Sequence, residues 1–155
     1  PSDHIYIVGH TSGGLDGITN TGSTGKEDGY IIKYDSAGNK KWTKQIGTSV
    51  HDYAYAVTTV SSGNTFVVGQ TDAGLDGNIS YGNGDIFLNK YNSSGIKQWT
   101  KQFGSSSIDS AHGVVSDLSG NIYLTGNTGG GFDDNTNSGG TDLFVVKYDS
   151  DGNKQ

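Results

Sequence analysis

Aspartate is the residue type in this sequence that offers the clearest route to metal chemistry. Fifteen of the sixteen acidic residues are Asp, and Glu27 is the only glutamate. Calcium takes about six to eight oxygen ligands, which repeated loop carboxylates would supply. Two sets recur at equivalent places, one between two predicted strands and one just before a strand: Asp16, Asp76 and Asp133, and Asp28, Asp85 and Asp142. These six are candidate calcium ligands. The alternative is that they cap turns by accepting hydrogen bonds from backbone amides.

The other side chains that bind metals or act as nucleophiles do not form a recognisable pattern. Histidine occurs at four places that the internal repeat does not relate: His4, His10, His51 and His112. Cysteine is absent, which excludes a thiolate metal site, and there is no Gly-x-Ser-x-Gly nucleophile elbow. We therefore predict that the protein is not an enzyme and that it needs no cofactor, with calcium as the one ion that the residues favour.

Aromatic residues are the remaining candidates for ligand binding. Trp42 and Trp99 are 57 residues apart, and we expect them to pack against a neighbouring sheet. The alternative is a platform on which a sugar ring stacks. Tyr53, Tyr55 and Tyr81 are further candidates for such a platform, although they do not recur cleanly.

A 57-residue period organises the whole chain. Lys33-Tyr34, Lys90-Tyr91 and Lys147-Tyr148 share this step, and 155 residues amount to about 2.7 repeats. Each period holds four segments rich in β-branched and aromatic residues, which predict four strands. Short segments containing Asp, Asn, Ser and Gly separate them and predict tight hairpins, such as Ser61-Ser62-Gly63-Asn64.

The predicted third strand shows how such sheets must pack. One face carries Phe87 and Tyr91 and the other carries Ile86 and Leu88, so both faces are apolar and need covering. A ring of small sheets covers both faces of each one. The predicted fold is therefore all-β, a β-propeller made of four-stranded antiparallel blades.

The repeat resembles the bacterial SBBP repeat, named for a seven-bladed β-propeller. The matching residues run from Gly63-Asn64 through Gly74-Leu75-Asp76-Gly77 and Lys90-Tyr91 to Trp99 and Gly104. The third copy departs from the pattern, with Gly131-Phe132-Asp133-Asp134 in place of Gly-Leu-Asp-Gly. The resemblance implies a propeller that belongs to a larger secreted or surface-exposed bacterial protein. It offers no catalytic residues to carry over.

The repeat divides the chain into one propeller segment, residues 1–155. We predict an incomplete first blade over residues 1–47, a complete second blade over 48–104 and an incomplete third blade over 105–155. Ten strands are too few to close a ring, since propellers use about four to eight blades. We expect either that the chain is part of a longer protein or that copies assemble through blade-to-blade contacts. The absence of methionine likewise favours a processed chain or a fragment.

Composition narrows the class of partner. The formal net charge is −6 and all ten basic residues are lysine, which disfavours a nucleic-acid partner. No apolar run is long enough to span a bilayer, so we expect no membrane insertion. We predict an extracellular, cell-surface or periplasmic structural or interaction module, with itself, neighbouring blades or other surface proteins as partners. The alternative function is a lectin-like module that binds a glycan or another small ligand.

Overall fold

The computed structural model describes residues 3–22 and 25–155. The predicted first blade also includes residues 1–2 and 23–24, which lie outside the described residues. Ten strands follow in chain order: β1 (Ile5–Thr11), β2 (Asp28–Tyr34), β3 (Lys40–Ile46), β4 (Asp52–Thr59), β5 (Thr65–Thr71), β6 (Asp85–Tyr91), β7 (Lys97–Phe103), β8 (Asp109–Ser116), β9 (Ile122–Thr128) and β10 (Asp142–Tyr148). A 3₁₀ turn, η1 (Leu75–Gly77), lies between β5 and β6.

The strands form three antiparallel sheets, each a meander in sequence order. Sheet 1 contains β1–β2–β3, sheet 2 contains β4–β5–β6–β7, and sheet 3 contains β8–β9–β10. Within the described ranges the chain forms no α-helix, and hence no helix that is long and apolar enough to cross a membrane. The prediction of an all-β chain of small antiparallel blades is confirmed, because these sheets are those of a partial β-propeller.

The hairpins form where the sequence places Gly after Asp, Asn or Ser. Gly63 and Gly120 have φ near +80°, a conformation that a side chain disfavours. Asp117 shows the matching polar contribution, since its carboxylate accepts hydrogen bonds from the amides of Ser119 and Asn121. The third and fourth strands of a blade are joined in the same way, through Asp35, Asn92 and Asp149. Local turn chemistry therefore sets the strand register in every copy.

Several strands extend further than their apolar residues indicate. β5 continues past Val68 to Thr71, which pairs with Asp52 on one side and Asp85 on the other. Polar residues at these strand ends continue the backbone ladder although they add little apolar area. The sheets therefore end in a row of Asp and Thr side chains, which lies where adjacent sheets meet.

Two separate apolar cores hold the three sheets together. The junction between sheets 1 and 2 buries Ile31, Ile46, Ala54, Val67, Leu75, Phe87 and Tyr91. The junction between sheets 2 and 3 buries Phe66, Val68, Ile86, Leu88, Ala111, Val114, Ile122, Leu124, Phe144, Val146 and Tyr148. Sheet 2 is thus covered on both faces, as the apolar pattern of its third strand predicts.

Tryptophan and lysine side chains of one sheet contact the hairpin between the third and fourth strands of the next sheet. Trp42 packs against Tyr91 and against Gly95, where an added Cβ would lie 2.8 Å from the indole ring. Lys33 donates a hydrogen bond to the carbonyl of Ser93, and Lys90 donates one to the carbonyl of Ser150 at 2.6 Å. The expectation that the tryptophans pack against the neighbouring sheet is confirmed for Trp42.

Candidate functional site

Five aromatic and imidazole rings form a continuous row that crosses all three sheets. We call His10, His51, Tyr53, Tyr55 and His112 the ring row. Tyr53 is nearly parallel to both of its neighbours, at 7° and 5.7 Å to His51 and at 10° and 6.0 Å to Tyr55. His10 meets Tyr53 edge-on at 5.0 Å, and His112 lies 5.1 Å from Tyr55. Sheet 1 contributes His10, sheet 3 contributes His112, and the other rings belong to β4 or precede it directly.

Two β-bulges position the middle and the end of the ring row. The pairing of β4 with β5 shifts register between Ala54 and Ala56, and that of β8 with β9 shifts between Ala111 and Gly113. Tyr55 and His112 are the residues inside these two shifts. A bulge leaves one residue unpaired, so Tyr55 and His112 have no partner on the neighbouring strand. The same irregularity in two repeats therefore presents two different rings to one surface.

Glu27 is the charged group at the sheet 1 end of the ring row. Its two carboxylate oxygens lie 3.8 Å from Nε2 of His10 and 3.6 Å from Nδ1 of His51. Lys26 lies on the other side of His51, with Nζ 3.3 Å from Nε2. Burial, followed by the charge of Glu27, raises the pKa of Tyr53 to about 12, so this phenol stays neutral.

The ring row is suited to stacking and hydrogen bonding rather than to acid–base catalysis on a bound anion. Tyr55 and His112 are exposed, and Nε2 of His112 lies 2.6 Å from Oδ1 of Asn127. Burial and then Asp72 and Glu27 raise the pKa of Tyr55, which shows that the surroundings are acidic. The surface can offer ring faces and polar edges to a neutral ligand. An anionic ligand would meet repulsion from these carboxylates.

Sequence reasoning missed the ring row because the residue at each of its positions changes from copy to copy. The position of His10 holds Gln70 and Asn127 in the other copies, and that of Tyr53 holds Ser110. The framework around them is constant, as Asp52 and Asp109 show. One signal was available in the sequence. Residues 51, 53 and 55 alternate with small residues on one strand, which predicts three rings on one face.

The first set of predicted calcium ligands is exposed and already paired with lysine. Asp76 binds Lys97 and the hydroxyl of Thr100, and Asp16 has the equivalent partners Lys40 and Thr43. Asp133 pairs with Lys154. All three aspartates have positive φ, between 53° and 56°. Asp tolerates this conformation better than most residues, which accounts for its recurrence in this turn.

The second set lies at the strand ends, apart from the lysines. Asp28 and Asp85 are fully buried, while Asp142 is partly exposed. One oxygen of each accepts a backbone amide hydrogen bond, from Thr21, Tyr81 and Ser138 respectively. Gln102 donates a second hydrogen bond to Asp85. The two sets therefore have different partners and form different local structures.

Comparison with known proteins places the repeat in a family. Residues 98–133 match the family model described as SBBP, a β-propeller repeat. This segment joins the last strand of sheet 2 to the first two strands of sheet 3, and its residues recur at the 57-residue period. This segment of the chain is an SBBP repeat. The resemblance seen in the sequence is thus confirmed, and the partial propeller is the structure that these repeats form.

Two curated proteins are similar to this chain. An uncharacterized WD repeat-containing protein of Acanthamoeba polyphaga mimivirus is 30% identical over 153 residues, covering 86% of this chain and 11% of that protein. The regulatory protein FlaEY of Caulobacter vibrioides is 26% identical over 165 residues, covering 97% of this chain and 17% of that protein. The chain therefore spans less than a fifth of the length of either relative. These matches are to a repeat module within much longer proteins.

The third SBBP repeat keeps the fold although its loop sequence differs. Phe132 replaces the Leu75 of the second repeat and packs against Phe103 and Phe144. Asp134 takes the place of Gly77 and has φ 60°, compared with 81° for the glycine. A larger apolar side chain and a second left-handed aspartate thus fill the same loop.

Proposed function

We propose that these SBBP repeats form a non-enzymatic interaction module that binds further blades of its own kind. The outer face of sheet 3 on one chain would pack against the outer face of sheet 1 on a second copy. Such head-to-tail contacts are heterologous, so they build rings or filaments rather than two-fold dimers. The observation that carries the proposal is that sheets 1 and 3 expose apolar residues whose repeat equivalents in sheet 2 are buried.

The outer face of sheet 3 repeats the face of sheet 2 that packs on sheet 3. Leu143 and Val145 are equivalent to Ile86 and Leu88, at the 57-residue step. The sheet 2 residues are 0% exposed, whereas Leu143 is 88% exposed and Val145 is 74% exposed. A cavity of about 450 Å³ lies beside them, between β10 and the loop that contains Phe132 and Asn137. Burying an exposed Leu and Val contributes about 1.5–3 kcal/mol each.

The outer face of sheet 1 is the matching surface. Ile7 is 44% exposed, and its equivalent Val67 is 0% exposed in the core between sheets 1 and 2. Ile5 is 52% exposed beside it, and β2 contributes Ile32 and Tyr34 to the same face. Because Val67 shares a core with Ile31, and Ile31 is equivalent to Val145, a copy docked in the same way places Ile7 and Val145 in one core.

The mass of the chain in solution tests this proposal. We expect light scattering to give a mass that rises with concentration above the 16.2 kDa of one chain. A Leu143→Asp/Val145→Asp variant should remain at that mass, because each new carboxylate would be buried without a partner. Ile79→Asp is the matched control, since Ile79 is 72% exposed but lies in the loop before β6. A wild-type chain that stays monomeric at its highest soluble concentration would refute the proposal.

The ring row supports a second candidate function, the binding of a neutral glycan. Nearly parallel tyrosine and imidazole rings with exposed polar edges are suited to the apolar faces and hydroxyl groups of a sugar. The acidic surroundings from Glu27 and Asp72 disfavour anionic ligands. Trp42 and Trp99 are instead partly buried, Trp42 against Tyr91 and Gly95 of sheet 2 and Trp99 against Gly152, which follows β10 of sheet 3.

A glycan array separates the two candidate functions. Under the glycan proposal the wild-type chain binds neutral glycans, and Tyr55→Ala or His112→Ala abolishes binding without lowering the melting temperature. Ile79→Ala serves as the control for a change at an exposed apolar side chain that is not a member of the ring row. The absence of binding to every neutral glycan would eliminate the second candidate and leave the first one standing.

The cellular site that fits both candidates is the bacterial surface or the extracellular medium, as the resemblance to SBBP repeats implies. The experiment is protease treatment of intact cells that produce the native parent protein. Loss of the parent protein's signal with retention of a cytoplasmic marker is expected. Protection until the cells are lysed would contradict a surface location.

A further inference from the structure

The junctions between sheets hold a second kind of carboxylate arrangement that the proposed function does not use. At the junction of sheets 2 and 3, the amide of Asp109 donates a hydrogen bond of 2.9 Å to the carbonyl of Gly84, the residue before Asp85. At the junction of sheets 1 and 2, the amide of Asp52 donates one of 2.7 Å to the carbonyl of Glu27, the residue before Asp28. The backbone thus brings the starts of two strands from adjacent sheets together, twice.

At each junction a glycine lies against at least one of the two carboxylates. A Cβ added to Gly104 would lie 2.6 Å from Oδ1 of Asp85 and 2.9 Å from Oδ2 of Asp109, so one small residue contacts both side chains. At Gly47, the 57-residue equivalent, the same atom would lie 2.2 Å from Oδ1 of Asp28. The missing side chain therefore leaves room that the carboxylate groups occupy.

One oxygen of each carboxylate is satisfied and the other is not. Oδ2 of Asp109 accepts hydrogen bonds from the amide and hydroxyl of Ser105, and Oδ2 of Asp52 accepts the equivalent pair from Thr48. The Oδ2 atoms of Asp28 and Asp85 also have amide donors. The Oδ1 atoms of all four residues are buried without a partner: Asp28, Asp52, Asp85 and Asp109. All four side chains are 0% exposed.

Buried carboxylates in pairs require a positive charge or a proton. An unpartnered buried oxygen costs free energy, and a neighbouring carboxylate of the same charge adds to that cost. The lysines that neutralise the exposed aspartates do not serve here, since Lys40 and Lys97 bind Asp16 and Asp76. What the junctions provide instead is a set of unpartnered oxygen atoms, the ligand type that hard divalent cations prefer.

We propose that each junction binds one calcium ion, held by Oδ1 of Asp85 and Asp109 at one junction and by Oδ1 of Asp28 and Asp52 at the other. Two carboxylates supply the charge, and backbone carbonyls and water complete the coordination, since calcium accepts all three. The described residues contain no group of three or more His, Cys, Asp or Glu side chains arranged for a metal, so each site depends on a pair. The ion joins two sheets and stabilises the junction itself.

Isothermal titration of chelator-treated protein with CaCl₂ tests this proposal. We expect two calcium ions per chain and a melting temperature that rises by about 4 °C or more in saturating calcium. Asp109→Asn should lower the stoichiometry from two ions to one, and Asp52→Asn should do the same at the other junction. Asp76→Asn, which changes an exposed aspartate paired with lysine, should keep two ions. Circular dichroism of each variant establishes that it is folded.

Measurements on the wild-type chain alone can overturn the proposal, so the test does not depend on whether the variants fold. No binding heat and no change in melting temperature with calcium would mean that water or a proton satisfies the four oxygens. NaCl at the same ionic strength is the control for charge screening, and an equal thermal shift in NaCl would also refute a bound divalent ion. Retention of both ions in Asp109→Asn would place the binding elsewhere.

Discussion

Sheet 2 and sheet 3 contain the same repeat in two different surroundings. Leu88 in sheet 2 is fully buried beneath sheet 3, while the equivalent Val145 in sheet 3 is 74% exposed. Lys90 reaches the hairpin of the next sheet at Ser150, whereas Lys147 lies over the ring of Tyr123. The repeat sequence gives both sheets the same apolar surface. This surface becomes part of a core only where a neighbouring sheet covers it. Each prediction below uses equivalent residues to test that statement.

The largest difference is expected between Leu88→Ala and Val145→Ala. Truncating Leu88 leaves a cavity between two sheets and should lower the free energy of unfolding by about 2–5 kcal/mol. Truncating Val145 should change it by less than about 0.5 kcal/mol, because the side chain is exposed. Urea denaturation at a concentration where the chain is monomeric measures both values. Equal losses would show that the two faces have similar surroundings.

The next largest effect is expected from Gly104→Ala at the junction of sheets 2 and 3. The added methyl group would meet Oδ1 of Asp85 at 2.6 Å and Oδ2 of Asp109 at 2.9 Å, and both carboxylates are buried. Overpacking of this kind costs about 1–3 kcal/mol. Gly13→Ala is the control, since nothing lies within 4 Å of its Cβ position. Thermal unfolding of both variants measures the difference, and an unchanged Gly104→Ala would contradict the geometry of the junction.

A smaller effect is expected from Lys90→Met compared with Lys147→Met. Lys90 donates a hydrogen bond to the carbonyl of Ser150 across the junction, and methionine keeps much of the apolar stem while removing the donor. We expect Lys90→Met to cost about 1 kcal/mol and Lys147→Met to cost clearly less. Chemical denaturation of the two variants tests this order. The reverse order would show that the lysine does not fasten the sheets together.

The smallest effect concerns the hairpin aspartates of sheet 3, whose carboxylates accept hydrogen bonds from residues of their own hairpins. Hydrogen bonds from Asn121 hold the pKa of Asp117 below its usual value of 3.8, and those from Asn153 do the same for Asp149. A carboxylate with a lowered folded-state pKa stabilises the protein above pH 4, and this contribution is lost as the pH falls below that value. Melting temperatures between pH 2 and pH 6 should therefore fall with acidity. Asp117→Asn and Asp149→Asn should each flatten this dependence slightly, and a steeper dependence would contradict the assignment.

The sequence was sufficient to predict the repeating framework. Alternating apolar residues and turn glycines such as Gly63 repeat at a constant period, so one copy supports the assignment of the next. The strand ends were less predictable, because Gln70 and Thr71 extend β5 through backbone pairing that composition does not reveal. Sequence reasoning identified Asp28 and Asp85 as candidate ligands. It did not identify Asp52 and Asp109, whose amides bond to the residues just before Asp28 and Asp85, because this proximity depends on how two sheets meet.

The ring row could not be predicted from the repeat for a related reason. The residues at its positions change from copy to copy, as Tyr55 changes to His112 at the 57-residue step, and these two residues lie at bulges. A bulge depends on strand pairing, so the identity of the residue gives little warning of it. The signal for it in the sequence is the variation between copies, as between Tyr53 and Ser110. In a repeat protein the constant residues build the framework, and the residues that differ between copies can form a binding surface.

Cysteine cross-linking between copies tests most directly whether the outer faces bind each other. The chain contains no cysteine, so an introduced pair reports on one contact alone. In an Ile7→Cys/Val145→Cys variant, a short bismaleimide cross-linker should produce a ladder of covalent multimers, since docked copies place these two positions in one apolar core. Ile79→Cys/Leu118→Cys, at two exposed positions away from these faces, should remain mostly monomeric. A monomeric Ile7→Cys/Val145→Cys variant, or equal ladders from both variants, would contradict blade-to-blade association.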